Sequence, residues 1–283
     1  MAKRVVIVGG GAAGMQTALE LKSRGIDPII VERDIELGGK ARGWHKLFPS
    51  FTPADAIMRP IADRVRAERI RCFYGQEVTS IASDGVMLRS GERMPADAVV
   101  VATGFTLFDA HRKQGYGYGL YDNVITSVDL ERMMNSGKVL LTDGTEPRRI
   151  AILHCVGSRD EKVCQKHCSK VCCITGLKQA IELKEMFPTA DVFNFYMDIR
   201  MFGPGYEELY REAQQRYNVH FVRGRISEAA ETINKRIQIK AEDTLTGRPL
   251  KMTVDMLVLL VGMSANYENE ALAKSAGLSL APN

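Results

Sequence analysis

The sequence predicts an α/β fold built from two Rossmann-like units, and three observations lead to it. The first is an apolar run at residues 4–8 that enters a glycine-rich turn and is followed by helical periodicity. The second is the return of the same strand–helix order after residue 148. The third is the length of 283 residues, which corresponds to about two domains of roughly 150 residues each.

The composition excludes several classes of protein. With 45% hydrophobic, 25% charged and 7% aromatic residues, the chain is not disordered, collagen-like or a coiled-coil rod. A net charge of +4 is too small to predict a nucleic-acid partner. No apolar run reaches the ~18 residues of a membrane helix, and no secretory signal precedes the first strand. We therefore expect a soluble, cytoplasmic protein.

The turn after the first predicted strand has the spacing of a dinucleotide-binding turn. Gly9, Gly11 and Gly14 form a G-x-G-x-x-G pattern between that strand and a helix predicted over residues 15–24. Gly9 makes the tight turn, Gly11 lets the backbone approach a pyrophosphate, and Gly14 lets helix and strand pack closely. Glu32 ends the next strand and is expected to accept hydrogen bonds from the ribose.

Two later motifs favour FAD over NAD in this unit. A Gly-Gly doublet at residues 38–39 and an Ala-Thr-Gly at residues 102–104 resemble elements of flavoproteins that bind two dinucleotides. Short strands predicted at residues 77–83, 86–90 and 93–95 would form the small antiparallel crossover between them. Trp44 and His45 are further candidates for the pocket wall. The residues expected to bind FAD are Gly9, Gly11, Ala12, Ala13, Gly14, Glu32, Arg33, Gly38, Gly39, Lys40, Val78, Ala102, Thr103 and Gly104.

The second unit lacks the glycine turn. Strands predicted at residues 148–153, 191–198 and 219–222 and helices at residues 173–187 and 206–217 preserve the scaffold. Cysteines occupy the position of the phosphate-binding turn, so we expect this unit to have lost nicotinamide binding and gained a metal site. The cysteines are Cys155, Cys164, Cys168, Cys172 and Cys173.

The cysteine spacing alone leaves the kind of site open. Thiolates select zinc, copper(I) or an iron–sulfur cluster. Adjacent cysteines suit a cluster, and a [4Fe–4S] cluster takes four of them, but the usual C-x2-C-x2-C run is absent. The alternatives are buried inert thiols, zinc with His154 or His167, and a redox dithiol of Cys168 and Cys172.

Several motifs together resemble one family over nearly the whole chain. That family consists of the A subunits of heterodisulfide reductases with their short relatives. The relatives are the flavin subunit of the quinone-interacting membrane-bound oxidoreductase complex and the corresponding flavoprotein of the sulfur-oxidising heterodisulfide-reductase-like complex. The resemblance is carried by residues 156–160, 168–173, 196–200 and 203–207, and by Lys178.

The resemblance implies a thioredoxin-reductase-like flavoprotein fold with FAD in the first unit. It also implies a [4Fe–4S] cluster in the second unit, in the place of NAD(P)H. Carried over by position, the cluster ligands are Cys155, Cys168, Cys172 and Cys173, which leaves Cys164 as a bystander. The family lysine corresponds to Lys178, which is expected beside the flavin ring as the catalytic residue, where a cation favours the reduced anionic flavin.

The function that follows is electron transfer between FAD and the cluster within a heterodisulfide-reductase-like complex of sulfur or energy metabolism. The partners implied are B- and C-type iron–sulfur subunits and a second copy of this chain, with membrane contact only through partners. Two alternatives stand beside it. One is a stand-alone NAD(P)H-dependent disulfide or quinone reductase. The other is a non-redox scaffold stabilised by zinc or flavin.

The expected organisation has four parts. Residues 1–110 form the FAD unit with its crossover, residues 111–145 connect, residues 146–258 form the second unit, and residues 259–283 return toward the FAD unit. The chain departs from the family in three ways. It has no ferredoxin-type cysteine runs, Ala54 and Ala56 stand where relatives often carry cysteines, and it stops at Asn283 before a flavin-closing motif, as if truncated.

Overall fold

The computed structural model describes residues 3–281 and divides the chain into two compact units. Unit 1 contains the residues up to Trp44, then Thr52–Thr106, then the residues from Ala265 on, and unit 2 contains His45–Phe51 and Leu107–Ser264. The helices are α1 (Ala12–Ser23), α2 (Ala54–Ala67), α3 (Ser127–Asn135), α4 (Cys172–Met186), α5 (Tyr206–Gln215) and α6 (Glu268–Ser275). The strands are β1 (Arg4–Val8), β2 (Asp27–Val31), β3 (Lys46–Leu47), β4 (Thr52–Pro53), β5 (Arg71–Phe73), β6 (Val78–Ala82), β7 (Gly85–Leu88), β8 (Arg93–Pro95), β9 (Ala98–Val101), β10 (Phe105–Leu107), β11 (Val124–Thr126), β12 (Arg149–Val156), β13 (Asp191–Tyr196), β14 (His220–Arg223), β15 (Ile226–Glu231), β16 (Ile237–Asp243), β17 (Arg248–Val254), β18 (Met256–Val261) and β19 (Met263–Ala265).

Unit 1 is built on a parallel sheet of order β5-β2-β1-β9. Val8 pairs in register with Val31 of β2 and Val101 of β9, so three strands end at one edge of the sheet. Helix α1 begins at Ala12, three residues earlier than the sequence predicts, because Gly9, Gly10 and Gly11 alone complete the turn. Strands β6, β7 and β8 form the expected antiparallel sheet.

Unit 2 repeats this plan with a parallel sheet of order β11-β18-β12-β13-β14. Every residue of β18 is buried, as expected for a strand covered on both faces. Strand β12 continues past the predicted end at residue 153, because residues 154–156 remain within the sheet. The segment 111–145 contains β11 and α3, and β11 is an edge strand of this sheet. Strands β15, β16 and β17 add an antiparallel sheet, which the sequence did not predict.

Both parallel sheets have a topological switch point, where the strand order reverses. In unit 1 it lies at β1, with β2 on one side and β9 on the other. In unit 2 it lies at β12, between β13 and β18. Ligands of open α/β sheets bind beyond the carboxyl ends of the strands at such points. The turns after β1 and β12 are therefore the two places where a site is expected.

None of the helices formed by residues 3–281 has both the length and the apolar content needed to cross a bilayer.

Candidate functional site

A cavity of about 360 Å³ opens at the switch point of unit 1. It is lined by all but one of the residues predicted to bind FAD. The exception is Gly14, which lies beneath the turn. A Cβ at Gly14 would stand 1.9 Å from the Gly9 carbonyl oxygen, so this glycine lets helix α1 pack against the turn. The structure brings the predicted residues together, and their contact with FAD stays a prediction.

Gly11 is the point where the backbone is open to a ligand. It lines the cavity, and a Cβ placed on it would meet nothing within 4 Å. Gly11 is also the N-cap of α1 and brings no side-chain cap, so the first N–H groups of the helix are available to an anion. Gly9 has φ +107°, and its Cβ would stand 2.4 Å from the Ala102 carbonyl oxygen, so only glycine fits there.

Glu32 organises the turn as well as lining the cavity. Its carboxylate is buried and accepts hydrogen bonds from the backbone N–H of Gly10 at 2.5 Å and of Asp34 at 2.8 Å. Each carboxylate oxygen retains acceptor capacity beyond these bonds. The predicted bond to a ribose hydroxyl therefore remains compatible with the structure.

Residues far along the chain complete the cavity, and the sequence did not predict them. Asn266, Glu268 and Leu272 line it. Glu268 forms an ion pair of 3.3 Å with Arg33, and the Thr103 hydroxyl donates to Asn269 at 2.6 Å. The sequence analysis predicted that residues 259–283 return toward the FAD unit, but it named none of these residues.

Aromatic side chains form another part of the wall. Trp44 and Phe105 both line the cavity and stack with ring centroids 6.3 Å apart. The Lys40 ammonium lies 5.1 Å from the centroid of the Phe105 ring. Burial, followed by the charge of Arg33, lowers the pKa of Lys40. His45 differs from the expectation for Trp44, because it belongs to unit 2 and binds Glu131 and Glu182 there.

In unit 2 the switch point carries a long cysteine loop, residues 157–171, between β12 and α4. Cys155 lies in β12 at an irregularity of its pairing with β18 and has φ 59°. A bulge of this kind turns a side chain away from the regular direction of the strand. Cys172 and Cys173 are the first two residues of α4, whose N-terminal dipole favours thiolates.

Three of the four predicted ligands, Cys155, Cys172 and Cys173, are buried at this end of the sheet, and the fourth, Cys168, is half-buried. The Sγ atoms of Cys155 and Cys172 lie 3.7 Å apart. Cys173 Sγ accepts from the Arg200 backbone N–H at 3.5 Å, and half-buried Cys168 Sγ accepts from the Lys170 N–H at 3.4 Å. Backbone N–H groups therefore point at two of the sulfurs, and Cys173 Sγ also donates to the Asp198 carbonyl at 3.6 Å. Cys164, the predicted bystander, is exposed.

The buried thiols influence one another's protonation. A hydrogen bond from Cys172 lowers the pKa of Cys155. The same bond raises the pKa of Cys172 to about 12, and the hydrogen bond with Cys172, followed by burial, raises the pKa of Cys173 to about 12. Without a metal, Cys155 is thus the first of the three to ionise. A metal cluster would need all of them ionised, so its binding would release protons.

The cysteine loop also has an unusual backbone. Arg159, Cys164 and Lys170 have positive φ, as does Cys155 just before the loop, although none of them is glycine. Such residues cost about 1–3 kcal/mol each and occur mainly where the surroundings fix them, often at functional sites. Arg159 is held by an ion pair of 2.8 Å with Asp198.

The positions of the thiols can be compared with the needs of a single ion and of a cluster. Within residues 3–281, no three His, Cys, Asp or Glu side chains are grouped as ligands of one metal ion. The 3.7 Å between Cys155 and Cys172 suits two thiolates on one zinc, given Zn–S bonds of about 2.3 Å. Of the two histidines of the zinc alternative, His167 Nε2 lies 2.9 Å from the Met263 carbonyl and His154 Nε2 lies 2.8 Å from Asn194. His154 Nδ1 is buried without a hydrogen-bond partner, and His154 acts on Cys173 to lower its pKa. A cluster binds each thiolate to a different iron, and Cys155 and Cys172 would have to separate.

Lys178 lies on α4 in a buried ion-pair cluster. Its ammonium donates to Glu131 at 2.5 Å and to the Lys46 carbonyl at 2.9 Å, and Glu182 lies 3.3 Å away. All of these residues belong to unit 2. The predicted position of Lys178 beside the flavin ring involves both units and stays a prediction.

Comparison with known proteins identifies the family. The family model described as pyridine nucleotide-disulphide oxidoreductase matches residues 3–167, more than half of the chain. The chain belongs to the pyridine nucleotide-disulphide oxidoreductase family. The predicted enzyme class, an FAD-dependent oxidoreductase, is thereby confirmed at the level of the family, and FAD is the cofactor that this family and fold support.

Relatives similar over nearly the whole chain are A subunits of heterodisulfide reductases, which confirms the predicted resemblance. The A subunit of the H(2)/formate:CoB-CoM heterodisulfide,ferredoxin reductase of Methanococcus maripaludis is 45% identical, over 99% of this chain and 56% of its own. The iron-sulfur A subunit of the CoB–CoM heterodisulfide reductase of Methanocaldococcus jannaschii is 31% identical, over 99% of this chain and 57% of its own. The chain thus spans little more than half the length of these relatives.

Solved structures confirm the predicted fold class. The crystal structure of T. acidophilum thioredoxin reductase superposes with a TM-score of 0.66 at 18% identity, over 99% of this chain and 83% of that one. The NAD-dependent persulfide reductase of A. fulgidus gives a TM-score of 0.62 at 18% identity, over 99% of this chain and 48% of its own. At this identity the likeness extends to the fold alone.

Proposed function

We propose that the chain binds FAD in unit 1 and a [4Fe–4S] cluster in unit 2, and that it transfers electrons within a heterodisulfide-reductase-like complex. When bound, FAD supplies two-electron chemistry and the cluster one-electron chemistry. One observation carries the proposal. At the two switch points of one chain, an open glycine turn lines a cavity and a cysteine loop replaces the corresponding turn.

The residues of unit 2 support the cluster in a specific way. The proposed ligands are Cys155, Cys168, Cys172 and Cys173, and α4 directs its N-terminus toward the last two. The N–H groups of Lys170 and Arg200 already donate to ligand sulfurs, which stabilises the charged form of a thiolate. Lys178 is the proposed catalytic cation, since one of its three ammonium hydrogens is not used in the two hydrogen bonds that it donates.

The proposed setting follows from the relatives. Their names describe components of heterodisulfide reductases, and one of the names includes the term iron-sulfur. We propose that this chain assembles with B- and C-type iron–sulfur subunits and with a second copy of itself, in the cytoplasm. Any membrane contact would come through those partners.

The test is the metal and flavin content of protein purified without oxygen. We expect one FAD, about four irons and about four sulfides per chain. Cys172→Ala should lose most of the iron and sulfide and become poorly soluble, because cluster binding stabilises the fold of unit 2. Cys164→Ala is the matched control within the same loop and should retain both. Cys72→Ala, in β5 of unit 1, controls for the loss of any thiol.

Other outcomes would favour the alternatives. Zinc without iron in the purified protein would support the scaffold, in which Cys155 and Cys172 share one ion. Rapid reduction of bound flavin by NADH or NADPH would support a stand-alone reductase. Full cluster content in Cys172→Ala, or cluster loss in Cys164→Ala alone, would contradict the ligand set.

A further inference from the structure

Unit 2 contains a group of buried charges that electron transfer between FAD and a cluster does not by itself explain. We call it the Lys178 cluster and define it as Lys178, Glu131, Glu182, His45 and Gln179. The side chains of Lys178, Glu131 and Glu182 are 3%, 5% and 1% exposed, whereas that of His45 is 29% exposed. Buried charges are costly unless they are paired and hydrogen-bonded, so their number and partners are informative.

Both carboxylate oxygens of Glu131 accept hydrogen bonds. Its Oε1 accepts from Lys178 at 2.5 Å and from the Gln179 amide at 2.7 Å, and its Oε2 accepts from the His45 backbone N–H at 2.8 Å. Both carboxylate oxygens therefore have donors, and one of these donors is an ammonium. Glu131 is therefore the anion that balances Lys178.

Glu182 has fewer hydrogen-bond partners. Its Oε1 lies 2.8 Å from His45 Nδ1. Its Oε2 is buried without a hydrogen-bond partner, 3.3 Å from the Lys178 ammonium. Burial is the main influence on this carboxyl and raises its pKa, although Lys178 acts in the opposite direction.

The charges do not balance unless one more proton is present. One ammonium cannot neutralise two buried carboxylates. The charged groups that face Glu182 are Lys178 on the same helix, Glu131 on α3, and the imidazole of His45 in the segment before β3. Lys46 and Glu185 pair with each other at 3.3 Å near the surface. A proton between Glu182 Oε1 and His45 Nδ1 is the arrangement that leaves neither of these two atoms unpaired.

We propose that Glu182 stores a proton behind Lys178 and that His45 exchanges this proton with solvent. In the folded protein the protonated Glu182 donates to His45 Nδ1. If Lys178 loses a proton to a base at its free hydrogen, the Glu182 carboxyl rotates so that its proton, held at Oε1 toward His45, reaches the amine, from which Oε2 lies 3.3 Å away. The His45 ring then turns over to present its N–H to the Glu182 carboxylate, takes a proton from solvent on its other nitrogen and passes the first one to Glu182. Only protons are transferred in this sequence, and solvent is their source. The purpose of the store rests on the proposed function of Lys178, but the presence of the stored proton does not.

Infrared spectroscopy of the purified protein tests the stored proton, whatever its flavin and iron content. We expect a carboxylic-acid C=O band at pH 7 that is absent in Glu182→Gln, which keeps the volume and one acceptor. Glu185→Gln is the matched control, because Glu185 lies on the same helix near the surface, and it should keep the band. The band should shift in D2O and exchange roughly tenfold more slowly in His45→Phe than in the wild type. His111→Phe, at an exposed histidine of the same unit, should exchange at the wild-type rate.

Two results would overturn the proposal. One is the absence of any C=O band that depends on Glu182, together with a doubly protonated His45 in 15N NMR spectra. The other is equal exchange of the band in His45→Phe and His111→Phe, which would exclude His45 as the route. If Glu182→Gln fails to fold, the exchange rates of the band in His45→Phe and His111→Phe still test the proposal. Since none of these measurements needs FAD or the cluster, failure of the electron-transfer proposal would be recognised separately.

Discussion

The turns after β1 and β12 occupy equivalent places in their sheets but are built on opposite principles. The first contains only Gly9, Gly10 and Gly11 before α1 begins. The second runs from residue 157 to residue 171 and places non-glycine residues at positive φ. The first turn keeps side chains away so that a ligand meets the backbone. The second brings thiol side chains, the proposed ligands, to the same place and contains residues at positive φ. One scaffold can thus offer either backbone N–H groups or thiolates at its switch point.

The helices that follow differ in the same sense. The buried residues of α1 are Gly14, Met15, Ala18 and Leu19. Helix α4 buries Lys178, Gln179 and Glu182 among its apolar residues. The helix after the glycine turn buries only apolar residues and glycine, whereas the helix after the cysteine loop also buries charged residues. Variants on both sides of this comparison should therefore fail for different reasons.

The largest effect is expected from Lys178→Met, which removes the cation from the polar helix. It leaves Glu131 and Glu182 buried without their ammonium partner, which should lower the free energy of unfolding by about 3–5 kcal/mol. Burial already raises the pKa of Glu182, and loss of the ammonium raises that pKa further. The destabilisation should therefore be smallest at acidic pH and grow as the pH rises through the raised folded pKa. Urea unfolding between pH 5 and pH 8 measures this. Lys184→Met, on the same helix but at the surface, should show no comparable trend with pH.

The next effect is expected at the open glycine. Gly11→Val places a side chain in the cavity rather than in the protein, since a Cβ there meets nothing within 4 Å. FAD affinity should fall on the order of 100-fold, or about 2.7 kcal/mol, while the thermal stability of flavin-free protein stays unchanged. Flavin fluorescence titration measures the affinity. Stoichiometric, tightly held flavin in this variant would count against the site.

Gly14→Ala, unlike Gly11→Val, should act mainly on the stability of the flavin-free protein. Its Cβ would stand 1.9 Å from the Gly9 carbonyl oxygen, so the turn and helix α1 must move apart, at a cost of about 1–3 kcal/mol. Flavin-free protein should unfold at lower denaturant concentration. Gly11→Ala is the control, because its methyl group enters open space. Equal stability of the two variants would show that the turn is not packed as described.

The smallest effect concerns backbone strain in the cysteine loop. Cys164 has φ 58° and is exposed. Cys164→Gly removes a penalty of about 1–2 kcal/mol but adds ~0.5–1 kcal/mol of chain entropy, so stability should rise by roughly 0.5 kcal/mol. Iron content should not change. Lys162→Gly, two residues earlier, relieves no positive φ and should destabilise instead, which differential scanning calorimetry can detect.

The sequence predicted the parts of the molecule that depend on contiguous residues. Gly9, Gly11, Glu32 and Thr103 belong to motifs whose backbone geometry is local, and the structure places all of them on one cavity. The return of residues 259–283 toward the FAD unit was expected, but no local motif singles out Asn266 within that segment.

The Lys178 cluster escaped prediction for a related reason. Its members come from the segment before β3, from α3 and from α4, and no spacing in the sequence connects them. The end of β12 and the start of α1 were also predicted wrongly, because hydrophobic periodicity does not show where a strand or helix ends next to a turn.

The discontinuity of unit 1 has a consequence for the order in which the protein matures. Unit 2 lies wholly within residues 45–264, so all of its segments are synthesised before residue 265. The wall formed by Asn266, Glu268 and Leu272 is synthesised afterwards, although β1 and the glycine turn leave the ribosome first. The glycine turn therefore lacks this part of its cavity wall through most of synthesis. The proposed cluster ligands are therefore all synthesised before the wall of the proposed flavin cavity is complete.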